Sequence, residues 1–263
     1  MRAEWDTLKV RHDEAVGVLK VQIHNPPLSL LNQVVRRELG LLFRELSGAP
    51  ALRCVVFGSS ERSFCAGADL REYPMRFDPA VARVHVENAH RMILALVESD
   101  TPVIAAIRGP CMGGGLELAL GCSYRIASRS ATFALPEARR GAWPGTGGIF
   151  LLCRLVRTSI AKRLLYTGES LSSKEALDLG VVDEVVEDEQ LDRRADDLAA
   201  DIARQPASSL QTMAQLVDGP FRASFREHLR YEAERFVHAY QLPAAREGYQ
   251  AFFEKREPRW PQP

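Results

Sequence analysis

The chain has 263 residues, and 34 Lys plus Arg balance 34 Asp plus Glu, so the formal net charge is zero. That balance speaks against a strongly basic nucleic-acid binder or a polybasic membrane-surface protein. A hydrophobic content of 46% with 26% charged residues fits a folded chain with a sizeable core.

The first elements read as strands, over residues 8–11 and 15–23, with a turn at 12–14. Asn25-Pro26-Pro27 stops the second, because proline cannot donate to a ladder. From about 32 to 46, Val35, Leu39, Leu42, Phe43 and Leu46 recur at three- and four-residue steps and predict an amphipathic helix. A short apolar strand at 54–57 ends at Gly58-Ser59-Ser60 and leads into the loop Phe64-Cys65-Ala66-Gly67-Ala68-Asp69-Leu70.

A long helix is predicted over 79–98, with Val84, Ala89, Met92, Ile93, Leu96 and Val97 on its apolar side. The run 103–107 reads as a buried strand ended by Gly109-Pro110. Gly113, Gly114 and Gly115 then open a short helix at 116–120, and a strand follows at 124–127. This alternation favours a mainly parallel sheet with crossover helices. Beyond about residue 146 helices dominate: 147–156, 160–166, 172–179, 192–204, 208–216 and a long stretch to Arg256, interrupted by one strand at 181–186.

Five cysteines, at 54, 65, 111, 122 and 153, show no CxxC spacing, and none of the six histidines forms HxH or HExxH. Small buried thiols are expected, and no metal site. The N-terminal segment has acidic residues and no apolar stretch of signal type, and nowhere do 18 uncharged apolar residues run together. These features lead us to expect a soluble cytoplasmic protein.

Two small-residue loops stand out, each following a buried strand. The glycine triplet allows a tight strand-to-helix turn, or close approach of a ligand to bare backbone at a helix N-terminus. It is neither a P-loop, since no GK[ST] follows, nor a Rossmann fingerprint, since it does not follow the first strand. The 64–70 loop alone reads as a surface turn with Asp69 as an N-cap. Two such loops side by side are the usual construction of an oxyanion hole. Glu117 and Glu137 are each explained singly as first-turn residues favoured by the helix dipole, or jointly as a general acid/base pair.

With these residues in place the chain resembles the crotonase superfamily, the enoyl-CoA hydratase/isomerase family. The resemblance rests on residues 25–31, 64–70, 104–121, 133–148, 165–182 and 246–256 in this order and spacing. It implies an α/β fold, a spiral of ββα units over about 1–200, followed by a helical C-terminal region over 201–263 for trimerisation and covering the site. It implies a coenzyme A thioester as substrate, with no separate cofactor, no nucleic-acid or membrane partner, and a homotrimer or dimer of trimers.

On the same basis the backbone N–H groups of Ala68 and Gly114 would hold the thioester oxygen. Pro27, Leu28, Ala66, Ala68, Asp69 and Leu70 would line the CoA path. Arg71 would face a phosphate, and Phe252 and Lys255, on one helix face, would reach the adenine and 3′-phosphate. Ser29 stands where the family commonly carries Asn. Glu117 and Glu137 match the two hydratase glutamates, twenty residues apart. The segment Gly141-Ala142-Trp143-Pro144-Gly145-Thr146-Gly147-Gly148 lacks the Asp that dehalogenases need.

These matches favour hydration of a 2-enoyl-CoA. The alternatives are isomerisation of a 3-enoyl-CoA, hydration of an unusual acyl group, or a non-catalytic CoA-binding or RNA-associated member. The acyl pocket is expected from the 79–98 helix, the C-terminal helices and the segment around Trp143, whose indole either reshapes the pocket or packs against helices.

Overall fold

The computed structural model describes residues 4–46, 49 and 51–260. The chain opens with a hairpin: β1 (Leu8–Asp13) pairs antiparallel with β2 (Val18–Ile23). β2 starts later than residue 15 because Gly17 closes the turn, at φ +77°, and donates its N–H back to the Asp13 carbonyl at 2.8 Å.

Beyond the hairpin come β3 (Cys54–Ser59), β4 (Val103–Ile107), β5 (Pro110–Met112), β6 (Tyr124–Ser128), β7 (Thr132–Ala134), β8 (Leu171–Ser172) and β9 (Glu184–Val186). A six-stranded sheet has the order β1-β2-β3-β4-β6-β9, parallel everywhere after the first pair. β5, β7 and β8 make a second, three-stranded sheet. Successive turns of the chain place one strand in each sheet, β4 then β5, and β6 then β7. The turn after β3 does the same in miniature, since Cys65 bridges Cys111 in parallel. This is the crotonase spiral.

The small sheet was not expected. Pro110 does not end the β4 segment but begins β5, a position where proline is tolerated because its missing N–H is not needed. The last strand is also shorter than 181–186: Val181 and Val182 are buried in the loop before it, and only three residues pair with β6.

The helices are α1 (Gln33–Leu46), α2 (Pro79–Val97), α3 (Gly114–Leu120), α4 (Gly148–Leu155), α5 (Thr158–Thr167), α6 (Ser173–Leu179), α7 (Leu191–Ala203), α8 (Ala207–Ala239) and α9 (Pro243–Phe253). β3 and β4 are buried at every residue, as strands covered on both faces must be. Their side chains alternate between two cores. Val55, Phe57, Val103, Ala105 and Ile107 join the main core with α1 and α2. Cys54, Val56, Ile104 and Ala106 face Leu191, Ala195, Ala199 and Ala203 of α7.

All five apolar positions predicted for α1 are buried. On α2, Val84 is instead 57% exposed, and the buried stripe runs through Ala82, Val86, Ala89, Ile93 and Leu96. The helical tail divides differently from expectation. α8 runs unbroken for 33 residues through Pro220, and the break falls before Pro243. Pro220 and Leu216, whose carbonyl loses its partner, are both exposed, so water can replace the missing bond. Arg222 and Arg226 of α8 pair with Asp100 and Glu98 at the end of α2.

Candidate active site

The spiral brings the two small-residue loops together. Met112 N–H donates to the Cys65 carbonyl at 2.9 Å. A side chain on Gly115 would put its Cβ 2.3 Å from that same carbonyl, so only glycine allows the contact. Gly113 has φ +52° and ψ −126°, a conformation closed to other residues. A Cβ there would lie 2.6 Å from Glu137 Oε1 and 4.0 Å from Gly67 Cα.

Most N–H groups around this junction have chain partners. Ala66 donates to Leu28, Asp69 to Leu31, and Gly113 to Ala134. No acceptor of the described chain takes the N–H of Ala68 or Gly114. Gly114 is the first residue of α3, where no intrahelical acceptor exists. The two predicted oxyanion donors are therefore adjacent and free.

The two glutamates flank this junction in different settings. Glu117, in the first turn of α3, is 2% exposed. Its Oε1 accepts from Thr146 N–H at 2.7 Å and Gly148 N–H at 2.8 Å, at the N-terminus of α4. Its Oε2 would lie 3.8 Å from a Cβ on Gly114. Burial raises the Glu117 pKa well above the usual carboxylate value, and the neighbouring Glu137 and Glu232 raise it further against the pull of the two N–H donors. Glu137 sits on a 3-10 turn (Pro136–Arg140) and lines an open cleft of about 300 Å³. Its Oε2 is buried without a partner. Burial pushes its pKa up to about 7, held back by its own backbone N–H and by Arg140. One proton is thus retained by the pair near neutral pH.

Sequence reasoning did not find a third carboxylate. Glu232, from the middle of α8, is 3% exposed. Its Oε1 contacts His90 Nε2 at 3.0 Å and accepts from Gly147 N–H at 2.9 Å, and His228 Nε2 lies 3.4 Å from Oε2. Burial pushes its carboxyl up, but the hydrogen bonds from His228, His90 and Gly147 outweigh that and hold it below the usual value. Glu117 and Glu232 therefore grip alternate N–H groups of one loop, Thr146 to Gly148. No group of three or more His, Cys, Asp or Glu among the described residues is gathered as a metal ligand set.

The predicted CoA-path residues divide. Ala66, Ala68 and Leu70 line the cleft with Glu137. Pro27 and Leu28 are exposed beside Ala66. Asp69 is turned inward: it caps the 3-10 turn Leu70–Glu72 and takes Arg71 in a two-pronged pair, Nε to Oδ1 at 2.9 Å and Nη2 to Oδ2 at 2.7 Å. Arg71 is therefore already neutralised, although its side chain is 79% exposed. Ser29 is buried with φ +53°, and its Oγ lies 2.6 Å from Ser59 Oγ, so it serves the loop's own structure.

Phe252 and Lys255 do not share a helix face. Glu254 caps α9, and Lys255 lies beyond it with φ +53°. Phe252 instead carries the Arg140 guanidinium over its ring at 4.7 Å, which seats the end of α9 beside the cleft. Trp143 packs into an aromatic cluster with Tyr73, Phe236 and Tyr240. No residue of α2 lines the cleft; Tyr73 and Arg76, from the short turns before it, take that place.

The sequence of residues 13–263 matches the profile of the enoyl-CoA hydratase/isomerase family. The chain belongs to the enoyl-CoA hydratase/isomerase family. It is 36% identical over 249 residues to a probable enoyl-CoA hydratase of Bacillus subtilis, covering 94% of this chain and 96% of that one. It is 31% identical over 242 residues to the short-chain-enoyl-CoA hydratase of Clostridium acetobutylicum, covering 91% and 92%. Among solved structures, an enoyl-CoA hydratase/isomerase from Pseudoalteromonas atlantica superposes with a TM-score of 0.87 at 27% identity, over 97% of this chain and all of that one. The family assignment accounts for both the spiral and the paired loops.

Proposed function

We propose that the chain hydrates a 2-enoyl-CoA thioester to the 3-hydroxyacyl-CoA. The observation that carries this reading is the junction of two free N–H groups with two buried carboxyls. Conjugation to the thioester makes the substrate's β-carbon electrophilic. Ala68 and Gly114 N–H polarise the carbonyl, and one such donor is worth roughly 3–4 kcal/mol of barrier. Glu117 accepts a proton from water as its oxygen bonds to the β-carbon. The displaced electron pair moves onto the thioester oxygen as an enolate. Glu137 then delivers its proton to the α-carbon as the enolate collapses. In reverse, Glu137 removes that proton and the hydroxyl leaves with a proton from Glu117.

The fixed Glu117 Oε1 supports its role in holding a water, since it leaves only the other oxygen to act. The raised pKa of Glu137 supports its role as the acid. Pro27, Leu28, Ala66 and Leu70 supply the CoA path, and Phe252 with Lys255 lies where the adenine end would leave the cleft. The assembly is a trimer or a dimer of trimers. Met213, Leu216 and Val217 support this: they are 52%, 74% and 68% exposed on one side of α8, an apolar face that a second copy would cover. No described helix is long and apolar enough to cross a membrane.

Loss of crotonyl-CoA absorbance on incubation with the protein tests the activity. An unchanged spectrum with retained CoA-ester binding would favour the non-catalytic alternative. A double-bond shift without hydration would favour the isomerase.

A further inference from the structure

The cleft wall contains a charge that the hydration mechanism does not use. Arg76, on the 3-10 turn Pro74–Phe77, is 4% exposed yet lines the cleft with Glu137. No carboxylate of the described chain pairs with it. Its Nη1 donates to Tyr240 Oη at 3.0 Å, and its guanidinium lies 5.6 and 5.7 Å from the ring centres of Tyr73 and Tyr240. Its Nε and Nη2 are buried with no partner at all.

A desolvated guanidinium with one edge empty is costly unless a ligand completes it. The empty edge has a specific shape. Nε and Nη2 are the two nitrogens by which Arg71 takes both oxygens of Asp69 elsewhere in this chain. Such an edge fits a planar carboxylate in a two-pronged, charge-assisted pair.

We propose that Arg76 is the specificity residue for a carboxylate carried at the far end of the acyl group, so that the substrate is an ω-carboxy-2-enoyl-CoA. The assignment rests on the hydratase reading of the same site. Tyr240, hydrogen-bonded to Nη1, fixes the rotation of the guanidinium and so the direction of its free edge. Tyr73 and Tyr240 cover its faces and keep water from competing.

The test compares kcat/KM for a five-carbon 2-enoyl-CoA ending in a carboxylate with that for its terminal carboxamide. Wild type is expected to prefer the carboxylate by about 100-fold, the discrimination typical of a buried group left unpaired by the wrong substrate. In Arg76→Gln the ratio should fall to about one, and Arg76→Lys should recover part of it. Equal use of the two thioesters by wild type would overturn the proposal, even if the variants fail to fold. So would a uniform loss in Arg76→Gln with the ratio preserved, which is the pattern of a CoA-phosphate contact. If crotonyl-CoA and both test thioesters go unhydrated, the hydratase reading fails. Calorimetric affinities of the saturated ω-carboxyacyl-CoA and its carboxamide then still decide the Arg76 assignment, with equal affinities counting against it.

Discussion

Two faces of the glycine run differ in how their polar groups are satisfied. Behind it, Glu117 and Glu232 are tied to the N–H groups of Thr146, Gly147 and Gly148, and His90 closes on Glu232. On the cleft side, Glu137 Oε2, Arg76 Nε and Nη2, and Arg140 Nε are buried without partners. Buried polar groups are normally paired, so the contrast is informative. The chain completes the rear face itself and fixes geometry there. The cleft face is completed by whatever binds.

The sharpest way to break this comparison is at the cleft carboxyl. Glu137→Gln should lower hydration by about 1,000-fold, within the range for a lost general acid, while CoA-ester affinity stays near wild type. Gly113→Ala should cost nearly as much, because its Cβ would strike Glu137 Oε1 and its backbone angle is strained. Stopped assays on both variants, with calorimetric binding, check this.

Glu117→Gln should lower hydration by about 100-fold. A 3-enoyl-CoA offered to the same variant reports whether any double-bond shift survives. The rear face should respond more mildly. Glu232→Gln keeps the shape of the Gly147 contact but removes a negative charge that raises the Glu117 pKa. Its kcat should fall by about tenfold, with the alkaline or acid limb of the pH profile displaced and KM little changed. A change in KM alone would mark Glu232 as merely structural.

The pH dependence is the smallest effect and the most directional. Glu137 must be protonated to hydrate and ionised to dehydrate. With its pKa pushed up to about 7, kcat/KM for hydration should decline as pH rises through about 7. Dehydration of the 3-hydroxyacyl-CoA should decline as pH falls through the same value. Stability follows the same linkage. A carboxyl whose folded pKa is raised stabilises the fold fully below the unfolded value of 4.5, and that contribution is lost as pH rises through about 7. Glu137→Gln should therefore melt higher than wild type at pH 8 and no higher at pH 4.

Much of this molecule is legible from local pattern. β3 and β4 are continuous apolar runs between breakers, and α1 keeps its stripe, so periodicity finds them. β5, β7 and β8 are two or three residues long and have no period to read. Val84 fails because an apolar residue on an exposed face looks the same in sequence as a buried one. The glycine run and the two glutamates are visible through their spacing and family resemblance. Arg76 and Glu232 are not, because their meaning lies in partners 164 and 142 residues away. Arg71 shows the converse: a cation placed well by sequence is taken by its own neighbour, Asp69.

The most direct measurement follows crotonyl-CoA absorbance with wild type and Glu137→Gln side by side, with product identified by mass. Hydration by a shared carboxyl pair predicts a product 18 Da heavier with wild type, the mass of one added water, and almost none with the variant, at equal thioester binding. Wild-type turnover in Glu137→Gln would contradict it.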